Sequence, residues 1–207
     1  MKKLVFYLML LLFLINFSSC EKEKEKKDND KTEVTNYTVD AKNSKINWTA
    51  YKTTDKLPVK GVFDEVTLLM NEPAKNKEEL LKGLEFEIPV GSINSNDSIR
   101  DFKLVKFFFE AMENTLSLKG KFTQVENGKG IIDLKMNGIS SELPFSYQIN
   151  DNIITINSTM NLDNWKAQLA IESLNKVCNE KHKAADGISK TWSEVALMIE
   201  VKTIQEK

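Results

Sequence analysis

The sequence predicts an all-β fold, an antiparallel barrel or sandwich built from successive short strands. Three observations predict it. Between Ile46 and Val201, apolar and polar residues alternate in short runs, so that each run has one greasy face and one wet face. The runs are punctuated by turn chemistry, as at Asn127-Gly128 and Asn137-Gly138. Only two longer stretches break the alternation with helical patterning, around residues 99–112 and 165–183. Periodicity alone leaves barrel and sandwich both open.

In chain order, Met1-Lys2-Lys3 is followed by an apolar run from Leu4 to Ile15, and Ser18-Ser19 precede Cys20. A basic start, a short apolar core and small residues before a cut site read as a secretory signal over residues 1–19. The run falls short of the ~20 residues that span a bilayer. Residues 20–36 are nearly all Glu, Lys, Asp, Asn and Thr. They cannot bury enough apolar surface to offset chain entropy and are expected to form a disordered tether. Residues 37–207 then suit one domain.

Within that domain, Ile46, Trp48 and Ala50 alternate with polar residues as a first strand, and Val59 to Met70 reads as a second, with Gly61 at a bend. Lys77 to Lys82 reads as a helical turn. Leu84, Phe86, Ile88 and Val90 alternate with Glu85 and Glu87. Turn chemistry from Gly91 to Ser98 leads to a helix expected over Ile99–Met112, capped by Asp97 or Ser98. That helix has Phe102, Leu104, Val105, Phe107, Phe108 and Phe109, more apolar bulk than one face holds, so it must be covered or must cover something apolar. Further strands carry Leu116, Leu118 and Phe122; Ile132, Leu134 and Met136; Leu143, Phe145, Tyr147 and Ile149; and Ile154 and Ile156. A helix is expected over Trp165–Lys183, with Trp165, Leu169, Leu174, Val177 and Cys178 near one side and Gly187 as its stop. The last strand turns Val195, Leu197, Ile199 and Val201 inward.

Ser92-Ile93, Arg100-Asp101, Leu104 and Phe107-Phe108-Phe109-Glu110 resemble, in order and spacing, the central signature of the YceI-like family. Tyr37-Thr38-Val39-Asp40 with Ser44, Val59-Lys60-Gly61-Val62-Phe63 and the strand Val195 to Val201 extend the likeness over roughly residues 37–202. Family members are lipocalin-like, polyisoprenoid-binding bacterial proteins. The resemblance implies an antiparallel eight-stranded barrel with one or two short helices closing its ends. Lys103 stands where the family often has His, and residues 161–165 read Asn-Leu-Asp-Asn-Trp in place of the usual pattern. Ser18-Ser19-Cys20 resembles a lipoprotein processing motif, which implies acyl chains on Cys20 and attachment to the bacterial cell envelope, at the outer membrane. Two or more chains would hold a protein there stably.

Chemistry elsewhere is sparse. Cys178 and His182 are four residues apart, and a helix would place them on one face, but His182 is the sole histidine and a metal site lacks its remaining ligands. Arg100 is the sole arginine and is a candidate for a phosphate or carboxylate headgroup; a local pair with Asp97 or Asp101 is the simpler reading. Without Lys2 and Lys3 the chain has 27 basic and 30 acidic residues, a net charge of −3, which argues against nucleic acid. No catalytic motif stands out, so no enzyme activity and no cofactor is expected.

The expected function is a carrier that holds a long apolar chain, isoprenoid-like by resemblance, without converting it. Its expected lining is Phe86, Ile88, Phe102, Val105, Phe108, Leu118, Phe122, Leu134, Met136, Phe145, Ile156, Leu197 and Ile199. The chamber should be elongated and exceed ~300 Å³, the lower end for ligand pockets. The alternative is a filled barrel that serves as a structural or interaction module of the envelope.

Overall fold

The computed structural model of the protein describes residues 36–206. The expected signal peptide, Cys20 and the tether lie outside the described residues, except for Asn36, which opens the first strand. Ten strands form one antiparallel sheet: β1 Asn36–Lys52, β2 Leu57–Phe63, β3 Thr67–Met70, β4 Glu85–Pro89, β5 Ile93–Asn94, β6 Ser117–Glu126, β7 Lys129–Met136, β8 Ile139–Asn150, β9 Ile153–Asn161 and β10 Thr191–Glu206. Their hydrogen-bonded order is β3-β4-β6-β7-β8-β9-β10-β1-β2-β5. Neighbours from β6 to β10 are successive in sequence, and those from β6 to β9 are joined by tight turns in which Asn127, Gly128, Asn137, Gly138 and Asp151 take positive φ.

This arrangement corrects two expectations. The eight-stranded count becomes ten, because the expected single strand over Val59–Met70 is two strands at far ends of the sheet order, and because Ile93–Asn94, expected within a turn, forms the short strand β5. Asp64 breaks the run. Its N–H donates to the Ser92 carbonyl at 2.9 Å, and its Oδ2 accepts from Asn94 Nδ2 at 2.9 Å, which turns the chain away from β2. Residues 64–66 alone link Phe63 to Thr67. Four Cα steps reach at most ~14 Å, so the sheet has curled until its two ends come close. Its edges are β3 and β5, which do not pair with each other. Covalent continuity, and not a ladder, holds that seam.

Two ends can be distinguished along β1 and β10, which pair over most of their length. At the Tyr37 end, a 3₁₀ turn over Glu79–Leu81 buries Leu80 and Leu81 against β1 and β6. The Tyr147 hydroxyl donates to Glu78 Oε2 there, and the Thr203 N–H donates to the Asn152 carbonyl at 2.8 Å. At the Lys52 end lie the helices. α1, Ser98–Leu104, begins at Asp97, whose side chain accepts from the Arg100 N–H at 3.0 Å. A π-helical turn over Val105–Phe109 follows, closed by Glu110 N–H to the Val105 carbonyl at 2.9 Å. α2, Gln168–Val177, lies between 3₁₀ turns Leu162–Trp165 and Asn179–His182.

Both expected helices are therefore interrupted. For the first, three consecutive Phe side chains on a regular helix would fan over most of its circumference. The wider turn lets Phe108 and Phe109 both be buried, while Phe107 packs edge-on to Phe102 at 6.4 Å between ring centroids. For the second, Lys166 adopts φ 53°, which breaks the chain between Trp165 and Gln168. Trp165 is fully buried, its Nε1 donating to the Leu134 carbonyl at 2.8 Å, whereas Leu169, expected on the same side, is 76% exposed.

Candidate functional site

The sheet encloses a core that is filled at one end and hollow toward the other. Phe86, Phe122, Phe145 and Tyr147 stack edge-on or tilted in sequence, with centroid distances of 5.9, 5.4 and 6.0 Å. Glycines make room for them. A Cβ on Gly120 would meet Phe86 Cζ at 2.3 Å, and one on Gly130 would meet Phe145 Cζ at 2.2 Å. Tyr147, at the end of this ladder, has its phenol pushed up from its usual value by burial first and by Glu78 second.

Above the ladder lies a chamber of about 180 Å³. Of the residues expected as lining, its wall takes in Phe86, Ile88, Leu118, Phe122, Leu134, Met136, Leu197, Ile199 and Phe108. It also includes residues that the sequence reading did not single out as lining, among them Trp48, Phe63, Phe109, Met160, Leu162, Leu174 and Trp192. Trp192 carried no signal because it sits at the start of β10, where the alternation has barely begun. Ser44 and Thr191 are the only hydroxyl-bearing residues of the wall, and the indole N–H groups of Trp48 and Trp192 donate to the Val62 and Thr53 carbonyls. Such a surface offers dispersion and apolar burial but almost no hydrogen bonding.

Four expected lining residues lie elsewhere. Phe102 is 62% exposed on the outer side of α1, and Val105 packs beside the core without reaching the chamber. Phe145 and Ile156 belong to the filled end, where Phe145 occupies the space ceded by Gly130 and Ile156 is fully buried. The helical pattern gave no means to separate the inner from the outer face of α1, and strand alternation shows which side a residue faces but not how far along the axis the void extends. The volume is also below the expected ~300 Å³. The Phe ladder and the Phe108–Phe109 pair, 5.0 Å between centroids, take up the difference.

A second, smaller cavity of about 110 Å³ shares Trp48, Ala50, Leu104, Leu174 and Thr191 with the chamber wall. Its other walls include Lys52, Asp97, Arg100, Lys103, Cys178, Lys181 and His182. Arg100 thus reaches a cavity, but it is also held locally. Its Nη2 lies 3.3 Å from Asp97 Oδ2, and its Nη1 donates to the Ser95 carbonyl at 3.4 Å. Asp97 is held below the usual carboxylate range, chiefly by the Arg100 N–H and also by the guanidinium charge.

Cys178 and His182 both line this cavity, although α2 ends at Val177 and His182 belongs to the following 3₁₀ turn. The Thr191 hydroxyl donates to Asn175 Oδ1 at 2.9 Å, so its oxygen is free to accept from His182 Nδ1 at 2.8 Å. That assigns the Nδ1–H tautomer from the network. His182 is pushed down to about 4, first by burial and then by the charges of Lys52 and Lys103. Among the described residues, no three His, Cys, Asp or Glu side chains gather as a metal site.

None of the curated proteins matches the chain. Among solved structures, a polyisoprenoid-binding domain from Saccharophagus degradans, implicated in plant cell wall breakdown, is similar with a TM-score of 0.57 and 12% identity, covering 82% of this chain and 98% of that one. BcnA from Burkholderia cenocepacia is similar with a TM-score of 0.53 and 13% identity, covering 80% of this chain and 99% of that one. At those identities the likeness is one of fold: a curled antiparallel sheet with helices at one end. Residues 37–203, nearly the whole of the described region, match the model of the YceI-like domain, and the chain belongs to that family.

Proposed function

We propose that this protein binds a long apolar chain, a polyisoprenoid or similar lipid, inside its curled sheet and carries it without chemical conversion. One observation carries the reading: an interior chamber whose wall is hydrocarbon and aromatic with only Ser44 and Thr191 to interrupt it. Water gains little there and an alkyl or prenyl chain gains about 0.8 kcal/mol per methylene buried. That the similar Saccharophagus domain is described as polyisoprenoid-binding points the same way. At about 180 Å³ the chamber is too small for a long chain as it stands, so binding requires Phe108, Phe109 and their neighbours to move.

The sequence before the described residues supports a place for this activity. Lys2-Lys3, the apolar run to Ile15 and Ser18-Ser19-Cys20 fit a lipid-anchored protein of the bacterial envelope, attached at the outer membrane through acylated Cys20 and a charged tether.

Mass spectrometry of lipids that co-purify with the protein tests the binding reading. A stoichiometric long-chain lipid is the expected result. A lipid-free protein that also takes up no prenyl chain from solution would favour the second reading, a module of the envelope with a filled barrel. The aromatic ladder from Phe86 to Tyr147 is the observation on that side.

A further inference from the structure

We propose that the smaller cavity is an anion site that receives the phosphate headgroup of the lipid whose chain occupies the chamber. The inference rests on the reading of the chamber given above. It goes further by assigning the chemistry of the other end of the ligand.

Four cationic side chains converge on this cavity from three separate elements: Lys52 from the end of β1, Arg100 and Lys103 from α1, and Lys181 from the 3₁₀ turn after α2. Asp97 is the one carboxylate in the wall, and it is already engaged by Arg100. Lys52 Nζ donates to the Lys181 carbonyl at 3.2 Å, and Lys103 Nζ donates to the Val177 carbonyl at 3.2 Å. Neither forms an ion pair among the described residues; their partners are neutral. Lys52 and Lys103 are partly buried and Lys181 is exposed, so the like charges gathered around this recess repel one another with only partial screening by solvent. His182, lowered first by burial and then by Lys52 and Lys103, sits within reach of the same charges. The chain itself offers the recess too little negative charge, and a ligand can supply it.

The position narrows the ligand. Trp48, Ala50, Leu104, Leu174 and Thr191 face both cavities, so an anion held here sits one side chain away from the apolar chamber. A phosphate monoester carries about −1.5 to −2 charge near neutral pH and accepts several charge-assisted hydrogen bonds, which suits an excess of ammonium donors better than a hydroxyl would. A free inorganic phosphate has the same chemistry but makes no use of the chamber.

The experiment compares farnesyl phosphate, farnesol and inorganic phosphate as probes of the purified protein, at low and high salt. The variants are Lys52→Gln with Lys103→Gln, and Lys103→Arg as a charge-conserving control whose thermal midpoint reports folding. Farnesyl phosphate should bind at least tenfold more tightly than farnesol. That advantage should shrink with salt, disappear in the double variant and persist in Lys103→Arg. If farnesol binds but the phosphate adds nothing, or the advantage survives the double variant, the anion site is wrong while the chamber reading stands. If inorganic phosphate binds as tightly as farnesyl phosphate, the site serves a free anion and the lipid assignment falls. If neither prenyl probe binds, the chamber reading itself fails and this inference with it.

Discussion

His182 is the single histidine of the chain, so its ring signals identify it without ambiguity. Its folded value of about 4 lies below the ordinary 6.5, so the unfolded chain binds the proton more readily than the folded one. Stability from this group is therefore present above pH 6.5 and is lost as pH falls from there toward 4. Because the ring is only half-buried, solvent screening reduces the effect to about 1–2 kcal/mol. A pH series of thermal midpoints should show that loss, and His182→Gln should flatten it across this window. Thr53, beside Lys52, is a second local anomaly: it is buried, takes φ 60°, and its hydroxyl has no partner. A β-branched residue in the left-handed region is strained, and an unpaired buried hydroxyl costs about 1–3 kcal/mol. Thr53→Gly should raise the unfolding free energy by about 1 kcal/mol after the extra chain entropy of glycine is set against it, as read by denaturant titration.

The π-helical turn and Gly61 are where single elements decide the chamber. Deleting Lys106 should return the turn to regular helical pairing and rotate Phe107, Phe108 and Phe109 relative to the chamber. The expected outcome is a protein with an unchanged β-sheet circular dichroism spectrum that no longer retains prenyl chains; full retention would show that the turn does not line a working site. Gly61 is confined from two sides. A Cβ there would meet Trp48 Cζ2 at 2.3 Å and the Asn94 carbonyl at 2.6 Å. Gly61→Ala should cost about 1–3 kcal/mol, because backbone and indole must both shift. Much at this scale was legible in the sequence. Strand alternation placed Phe86, Leu118, Phe122, Leu134 and Leu197 inward, because inside and outside differ by one residue in a strand. The inner face of α1 was not legible. Ile99, Phe102 and Leu104 are equally apolar as letters, and only packing against α2 leaves the first two exposed. The basic cavity was legible only at Arg100, since Lys52, Lys103 and Lys181 are far apart in a chain rich in lysine.

For the whole molecule, the barrel-or-sandwich question had no local answer, because both give the same alternation. The answer is one curled sheet that does not close, its ends kept near each other by the short link over residues 64–66. The number of strands was hidden for the same reason: Val59 to Met70 reads as one run, and the break at Asp64 depends on partners from 92 and 94. The proposed anchoring also belongs to the scale of the entire chain. Cys20→Ser should release the protein into the soluble envelope fraction or leave its precursor uncut; a processed variant still sedimenting with membranes would refute anchoring through this residue.

The seam between β3 and β5 sets how the interior can change size. Every other neighbouring pair of strands is joined by a ladder, from two residue pairs between β2 and β5 upward, and widening the sheet there would rupture backbone bonds. At the seam there are none to rupture. The sheet is thus a cuff with one unbuttoned edge, and it can dilate around a guest by opening there while its fastened strands keep their register. Amide exchange should be fastest along β3 and β5 in the empty protein and should slow when a chain fills the interior, because the guest would bridge the gap that the backbone leaves unbridged.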